Sequence, residues 1–194
     1  MARLKSLCVY CGSSMPKDKR HQDAATALGQ EAAARGVTIV FGGGRVGLMG
    51  RVADGALAGG GQVIGVIPEH LQALEVGHNG LERLEVVPSM HVRKARMCDL
   101  SDAFCVLPGG MGTLDEAFEI ITWKQLGLHD KPIVIANIGG FWDPLLALIE
   151  HQAESGYVHG QHMGLFQAVT RIDSVFTAIE TARESALSKL SPRA

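Results

Sequence analysis

"FCVLPGGMGTLDEAFE", residues 104–119, joins an apolar run to a Pro-Gly-Gly break, a third glycine and three acidic side chains. An apolar run without polar alternation is the pattern of a strand buried on both faces of a parallel sheet. The residues beyond the break, Leu114 to Leu126, read as a helix, so the stretch predicts strand, glycine turn, helix. "VFGGGRVGLMG", residues 40–50, is written on the same plan. In a parallel sheet both turns fall at the carboxyl ends of strands, where open α/β folds bind ligands.

Working outward, short apolar runs alternate with helical stretches along the whole chain. The order is "LKSLCVYCG", Asp23 to Arg35, "VTIVFGGG", Leu48 to Ala58, "QVIGVIP", "LEVVP", His91 to Leu100, the opening stretch, "KPIVIANIGG", Trp142 to Ala153, then "AVTRI" and Asp173 to Leu187. This alternation predicts a doubly wound α/β domain with a mainly parallel sheet flanked by helices. At 194 residues one domain is expected, over residues 1–187, with a frayed tail from Ser188 to Ala194.

Apolar residues make up 46% and charged residues 20%, as in ordinary soluble domains. A formal net charge of −2 without a basic block argues against a nucleic-acid partner. No apolar stretch approaches a membrane span, and the run near Met1 is too short for a signal peptide, so a cytoplasmic protein with no membrane association is expected. Cys8 and Cys11 have zinc-knuckle spacing, but no histidine stands at a matching distance from Cys98 and Cys105 lies in an apolar strand. Buried, reduced thiols and no metal are the expectation.

Gly42, Gly44 and Gly47 satisfy the dinucleotide fingerprint G-x-G-x-x-G. The fingerprint also wants an acid at the end of the next strand, and here "VIGVIP" ends in Pro68 with Glu69 beyond it. A dinucleotide cofactor is therefore disfavoured, and no P-loop sequence occurs. Either turn can present backbone N–H groups to a small anion at a helix N-terminus. Gly43 and Gly44 belong to one such cradle, and Gly109, Gly110, Gly112 and Thr113 to the other. Asp115 suits a first helical turn, while a carboxylate beside a phosphate cradle makes sense when ribose or a developing positive charge lies between them. "MHVRKARM", residues 90–97, supplies Arg93, Lys94 and Arg96 as phosphate ligands, and His91, with no acidic neighbour, reads as a structural group.

"PGGMGTLDE", "MHVRK", "FGGGRVGLMG", "CGSS" and "TWKQLGLHDKP" together resemble the Lonely Guy (LOG) family of cytokinin riboside 5′-monophosphate phosphoribohydrolases, whose bacterial relatives are often labelled lysine decarboxylases. The resemblance runs from about Cys8 to Tyr157. It implies a Rossmann-like homodimer that needs no cofactor and hydrolyses the N-glycosidic bond of an adenosine-type nucleoside 5′-monophosphate, giving free base and ribose 5-phosphate. Residue by residue, Arg93 and Glu116 match the catalytic pair, and Gly109, Gly110, Met111, Gly112 and Thr113 the phosphate turn. Glu75 and Thr122 match substrate contacts, and Lys94, from the basic run beside Arg93, is counted with the substrate-binding residues. Where plant members have a tyrosine and two glutamates in the turn, this chain has Met111, Asp115 and Glu116, which leaves AMP and prenylated adenine nucleotides both open as substrates. Decarboxylation needs an electron sink, usually pyridoxal phosphate on a lysine, and no lysine here has a recognisable cofactor setting; Lys124 reads as surface or interface. A nucleotide carrier without turnover is the alternative from another class.

Overall fold

The computed structural model describes residues 3–72, 77–78 and 80–190. In chain order the elements are β1 (Ser6–Tyr10), α1 (Lys19–Arg35), β2 (Thr38–Phe41), α2 (Gly47–Ala58), β3 (Val63–Pro68), the single turn α3 (Glu69–Gln72), β4 (Arg83–Val87) and α4 (Met90–Asp99). There follow β5 (Ala103–Val106), α5 (Met111–Gln125), β6 (Ile133–Ala136), α6 (Asp143–Glu154), β7 (Gln167–Val169) and α7 (Asp173–Leu190), with 3-10 turns at Ile138–Gly140 and Gly160–Gly164.

The strands form one sheet in the order β4-β3-β2-β1-β5-β6-β7, and every pairing is parallel. This is the doubly wound fold that the unbroken apolar runs predict. Leu7, Val9, Ile39 and Phe41 point into a core shared with α1, α2 and α7. Cys8, Tyr10, Val40 and Phe104 point into the opposite core with α4, α5 and Trp142. Both faces of the central strands are therefore dry, which is why they carry no polar alternation. The α1 and α2 helices approach closely: a Cβ on Gly29 would stand 2.2 Å from the Val52 carbonyl oxygen, and one on Gly55 2.3 Å from that of Thr26.

β1 pairs with β2 on one side and β5 on the other, so the chain leaves these neighbouring strands toward helices on opposite faces of the sheet. Their C-terminal loops diverge and open a crevice at the topological switch point. The α4, α5 and β1–α1 segments meet there.

Several elements differ from expectation, among them α5, which starts at Met111 and not Leu114. The α1 helix starts at Lys19 and not Asp23, because Asp18 is extended and its carboxylate accepts from Arg20 N at 2.9 Å as an N-cap. The α3 turn was not foreseen; at four residues it carries no periodic signal. The α7 helix continues to Leu190, three residues into the expected tail. All four cysteines are buried and free, and among the described residues no cluster of histidine, cysteine and acidic groups could hold a metal. Burial pushes the thiols of Cys8 and Cys11 well up and that of Cys105 up to about 12, so all three stay protonated and inert. Among the described residues no helix is long and apolar enough to cross a membrane.

Candidate active site

The crevice encloses about 460 Å³, room for a nucleotide-sized ligand. Gly109 to Thr113 form one wall, Gly12, Ser13 and Ser14 line it from the loop after β1, and Arg93 and Glu116 also line it. The α5 turn divides its glycines by task. A Cβ on Gly109 would meet Thr113 Oγ1 at 2.1 Å, so this glycine makes room for the buried threonine hydroxyl. Beside Gly110 and Gly112 a Cβ would meet nothing within 4 Å, because those positions face open space. Gly110 caps α5 without any side-chain bond. The first-turn N–H groups of α5, which no intrahelical carbonyl can satisfy, thus lie beside the crevice with the positive end of the helix dipole.

The catalytic pair expected from the family resemblance comes together across 23 residues of sequence. Arg93 Nη1 donates to Glu116 Oε1 at 2.8 Å, Arg93 Nε donates to the Val66 carbonyl at 3.0 Å, and both side chains are about nine-tenths buried. Burial raises the Glu116 pKa above the ordinary carboxylate range, with the Arg93 charge and hydrogen bond pulling against that rise. The result is a desolvated carboxylate fixed in direction by a guanidinium, less than one turn along α5 beyond Thr113.

The second glycine turn does something else. Gly43 (φ +78°) packs its Cα face on Leu84 and Ile67, Gly44 bridges to Gly77, and neither lines the crevice. A Cβ on Gly42 would stand 2.0 Å from Arg93 Nη2, so Gly42 is the bed on which the guanidinium lies. A Cβ on Gly47, at φ +70°, would stand 2.4 Å from the Ser13 carbonyl carbon, so only glycine lets these backbones meet. A first-turn donor of α2 is also taken, since Leu48 N donates to the Gly12 carbonyl at 3.0 Å. The anion cradle expected at Gly43 and Gly44 is therefore corrected to a support under the site.

Three further expectations change. Lys94 is buried outside the crevice lining, with Nζ 3.0 Å from Asp115 Oδ2 and 3.0 Å from Glu119 Oε1. Arg96 is drawn to β4, where its Nε donates to Glu85 Oε2 at 2.6 Å. One step along a helix turns a side chain by about 100°, so Arg93 alone of the three cations points inward. Thr122 is exposed three turns down α5 and does not line the crevice. Glu75 lies outside the described residues. His91 is exposed. Sequence reasoning missed Met49, Leu71 and Met90, an apolar wall beside Arg93, and the pair His21 and Phe141, whose rings meet edge to face at 5.3 Å at the crevice lining. Their signal was too plain to find: isolated apolar residues and one histidine in a polar run do not mark a site.

Comparison with known proteins adds a family and a fold. Residues 49–179 match a family model described as "Possible lysine decarboxylase". The probable cytokinin riboside 5′-monophosphate phosphoribohydrolase LOGL9 of Oryza sativa subsp. japonica is 45% identical over 179 residues, covering 92% of this chain and 79% of the relative. The phosphoribohydrolase LOG3 of Arabidopsis thaliana is 45% identical over 157 residues, covering 81% of this chain and 73% of the relative. Among solved structures, the Moco carrier protein from Chlamydomonas reinhardtii superposes with a TM-score of 0.70 at 19% identity, covering 94% of this chain and 99% of that one, a likeness of fold. The decarboxylase description does not fit the crevice: among the described residues no lysine lines it to hold pyridoxal phosphate as a Schiff base, and Lys94 is tied to two carboxylates.

Proposed function

This chain belongs to the LOG family, and on that premise we propose that it hydrolyses the N-glycosidic bond of adenosine-type nucleoside 5′-monophosphates, releasing the free base and ribose 5-phosphate. Cytokinin riboside 5′-monophosphate is the substrate that its relatives' names support, and AMP shares the chemistry that the crevice reads. The observation that carries the reading is the buried Arg93–Glu116 pair, 2.8 Å apart, beside the open glycines of α5.

The 5′-phosphate sits on the α5 turn at Gly110, Gly112 and Thr113, where backbone donors and the helix dipole meet it. Glu116 then faces the ribose. Departure of the base leaves an oxocarbenium-like sugar, as in glycoside hydrolysis. At 4 Å and an effective dielectric near 20, a carboxylate and a unit positive charge attract by about 4 kcal/mol, enough to alter the rate a hundredfold or more. Arg93 keeps Glu116 ionised and aimed, and Glu116 orients the water that attacks the sugar carbon. Because the Glu116 pKa stands above the ordinary carboxylate value, activity that needs its ionised form is present above that pKa and is lost as pH falls through it.

The exposed residues Phe118, Thr122 and Leu126 along one face of α5 support a homodimer, in which Thr122 would serve the neighbouring copy's crevice. Light scattering at micromolar concentration checks this, and a mass of one chain would exclude it. The reading also places the protein in the cytoplasm. The functional test is to incubate the pure protein with isopentenyladenosine 5′-monophosphate, AMP and the two parent nucleosides, and to quantify free base. Release from the monophosphates and not from the nucleosides is expected, since the phosphate contacts are what lower the barrier at the sugar. Tight binding of the monophosphates with no base released would favour a carrier.

A further inference from the structure

The seam between α4 and α5 carries three ion pairs made by two adjacent cations. Arg93 meets Glu116 on the crevice side, and the next residue of α4, Lys94, meets the residues flanking Glu116 on α5. Its ammonium lies 3.0 and 3.3 Å from the two Asp115 oxygens and 3.0 Å from Glu119 Oε1. Asp115, Glu116 and Glu119 thus place three carboxylates within five residues of one helix, and Asp115 and Glu119 are an i, i+4 like-charge pair that is unfavourable without a cation between them.

Glu116 is faced by Arg93 and Lys94 from α4, by Asp115 and Glu119 on its own helix, and by Cys8 and Tyr10 of β1 and Cys11 just after it. These last three groups are neutral, since burial pushes all of them up. Two cations therefore balance three carboxylates, and without Lys94 a single guanidinium would face all three. A proton would then be drawn to the most desolvated of them, which is Glu116.

We propose that Lys94 is a positioning residue: by holding Asp115 and Glu119 it keeps Glu116 ionised and α5 in register with α4, and it does not touch the substrate phosphate. This rests on the reading of Glu116 as the carboxylate that stabilises the sugar cation. Lys94 is fit for the task. Burial alone would lower its pKa, and the hydrogen bonds to Glu119 and Asp115 outweigh that, holding it above the ordinary lysine value and charged throughout the working range. On Glu116 the two neighbours act in opposite senses, Asp115 raising its pKa and Lys94 lowering it.

That opposition gives the experiment a sign. Full-length Lys94→Met, Lys94→Arg and Asp115→Asn proteins are titrated without ligand by carboxyl 13C NMR, with the Glu116 signal assigned by its loss in Glu116→Gln. The Glu116 midpoint should rise in Lys94→Met, return toward wild type in Lys94→Arg and fall in Asp115→Asn. With nucleoside monophosphate, Lys94→Met should lose roughly tenfold in kcat at neutral pH, within the range of couplings inside one ion-pair network, and regain it at higher pH with KM within about twofold. An unmoved midpoint together with a KM raised tenfold or more would make Lys94 a phosphate ligand and overturn the proposal. If Lys94→Met does not fold, Asp115→Asn decides: its midpoint must still fall, and an unchanged one refutes the account. The titration needs no turnover, so a wild-type protein that releases no base sinks the proposed hydrolysis while leaving this measurement to be read.

Discussion

Two turns of this molecule are spelled almost alike and used differently. "VFGGGRVGLMG" and "VLPGGMGTLDE" each run from a buried strand through glycines into a helix at the same edge of the sheet. In the second, the glycines at 110 and 112 face empty space and the helix donors beside them are uncapped. In the first, the glycines are filled from outside: Arg93 lies on Gly42, the Ser13 backbone lies against Gly47, and the Gly12 carbonyl takes the Leu48 N–H. Glycine spacing announces a close approach without saying by what. One turn is left open, and the other is approached by the protein's own machinery, including the guanidinium that pairs with Glu116.

Substitutions can break this contrast. Gly47→Ala should be the most damaging to the fold, because a left-handed alanine and a backbone clash together cost about 3 kcal/mol, or a melting temperature about 6–12 °C lower in a domain of this size. Melting at the wild-type temperature would mean that the first turn is not a packing device. Gly42→Ala should spare more of the fold and reduce kcat about a hundredfold, since its methyl displaces a positioned guanidinium. Unchanged kcat would detach Arg93 from the chemistry. Gly112→Ala should be the mildest, raising KM by roughly fivefold, the worth of one backbone–phosphate hydrogen bond, with melting unchanged or slightly higher because alanine suits a helix. A loss of stability there in place of affinity would erase the distinction between the two turns.

The fold was legible in the sequence because its signal is local: strands dry on both faces need no polar residues, and the glycine breaks mark where each ends. The start of α1 was hidden because "KDKRHQ" is polar all round, and only Asp18, acting as a cap, marks the boundary. At the site, the α5 cradle could be read from its residues alone. The pairing of Arg93 with Glu116 could not, since it depends on which faces of α4 and α5 meet across the seam, and it reached the sequence reading through a family resemblance. Lys94 shows the limit of reading a charge run as one surface. Adjacent to Arg93 in sequence, it points a third of a turn away and spends its charge on Asp115 and Glu119. Arg96 fails for the same reason, on Glu85.

The central claim is that the Glu116 carboxylate, held by Arg93 beside the α5 cradle, stabilises the sugar cation as the base leaves. The most direct test is the rate of free-base release from isopentenyladenosine 5′-monophosphate by wild type and Glu116→Gln, with thermal melting as the folding control. Gln keeps the shape and removes the charge, so kcat should fall by roughly two to three orders of magnitude, the scale of losing one preorganised electrostatic group, in a protein that still folds. A Glu116→Gln protein that releases base at the wild-type rate would contradict the account.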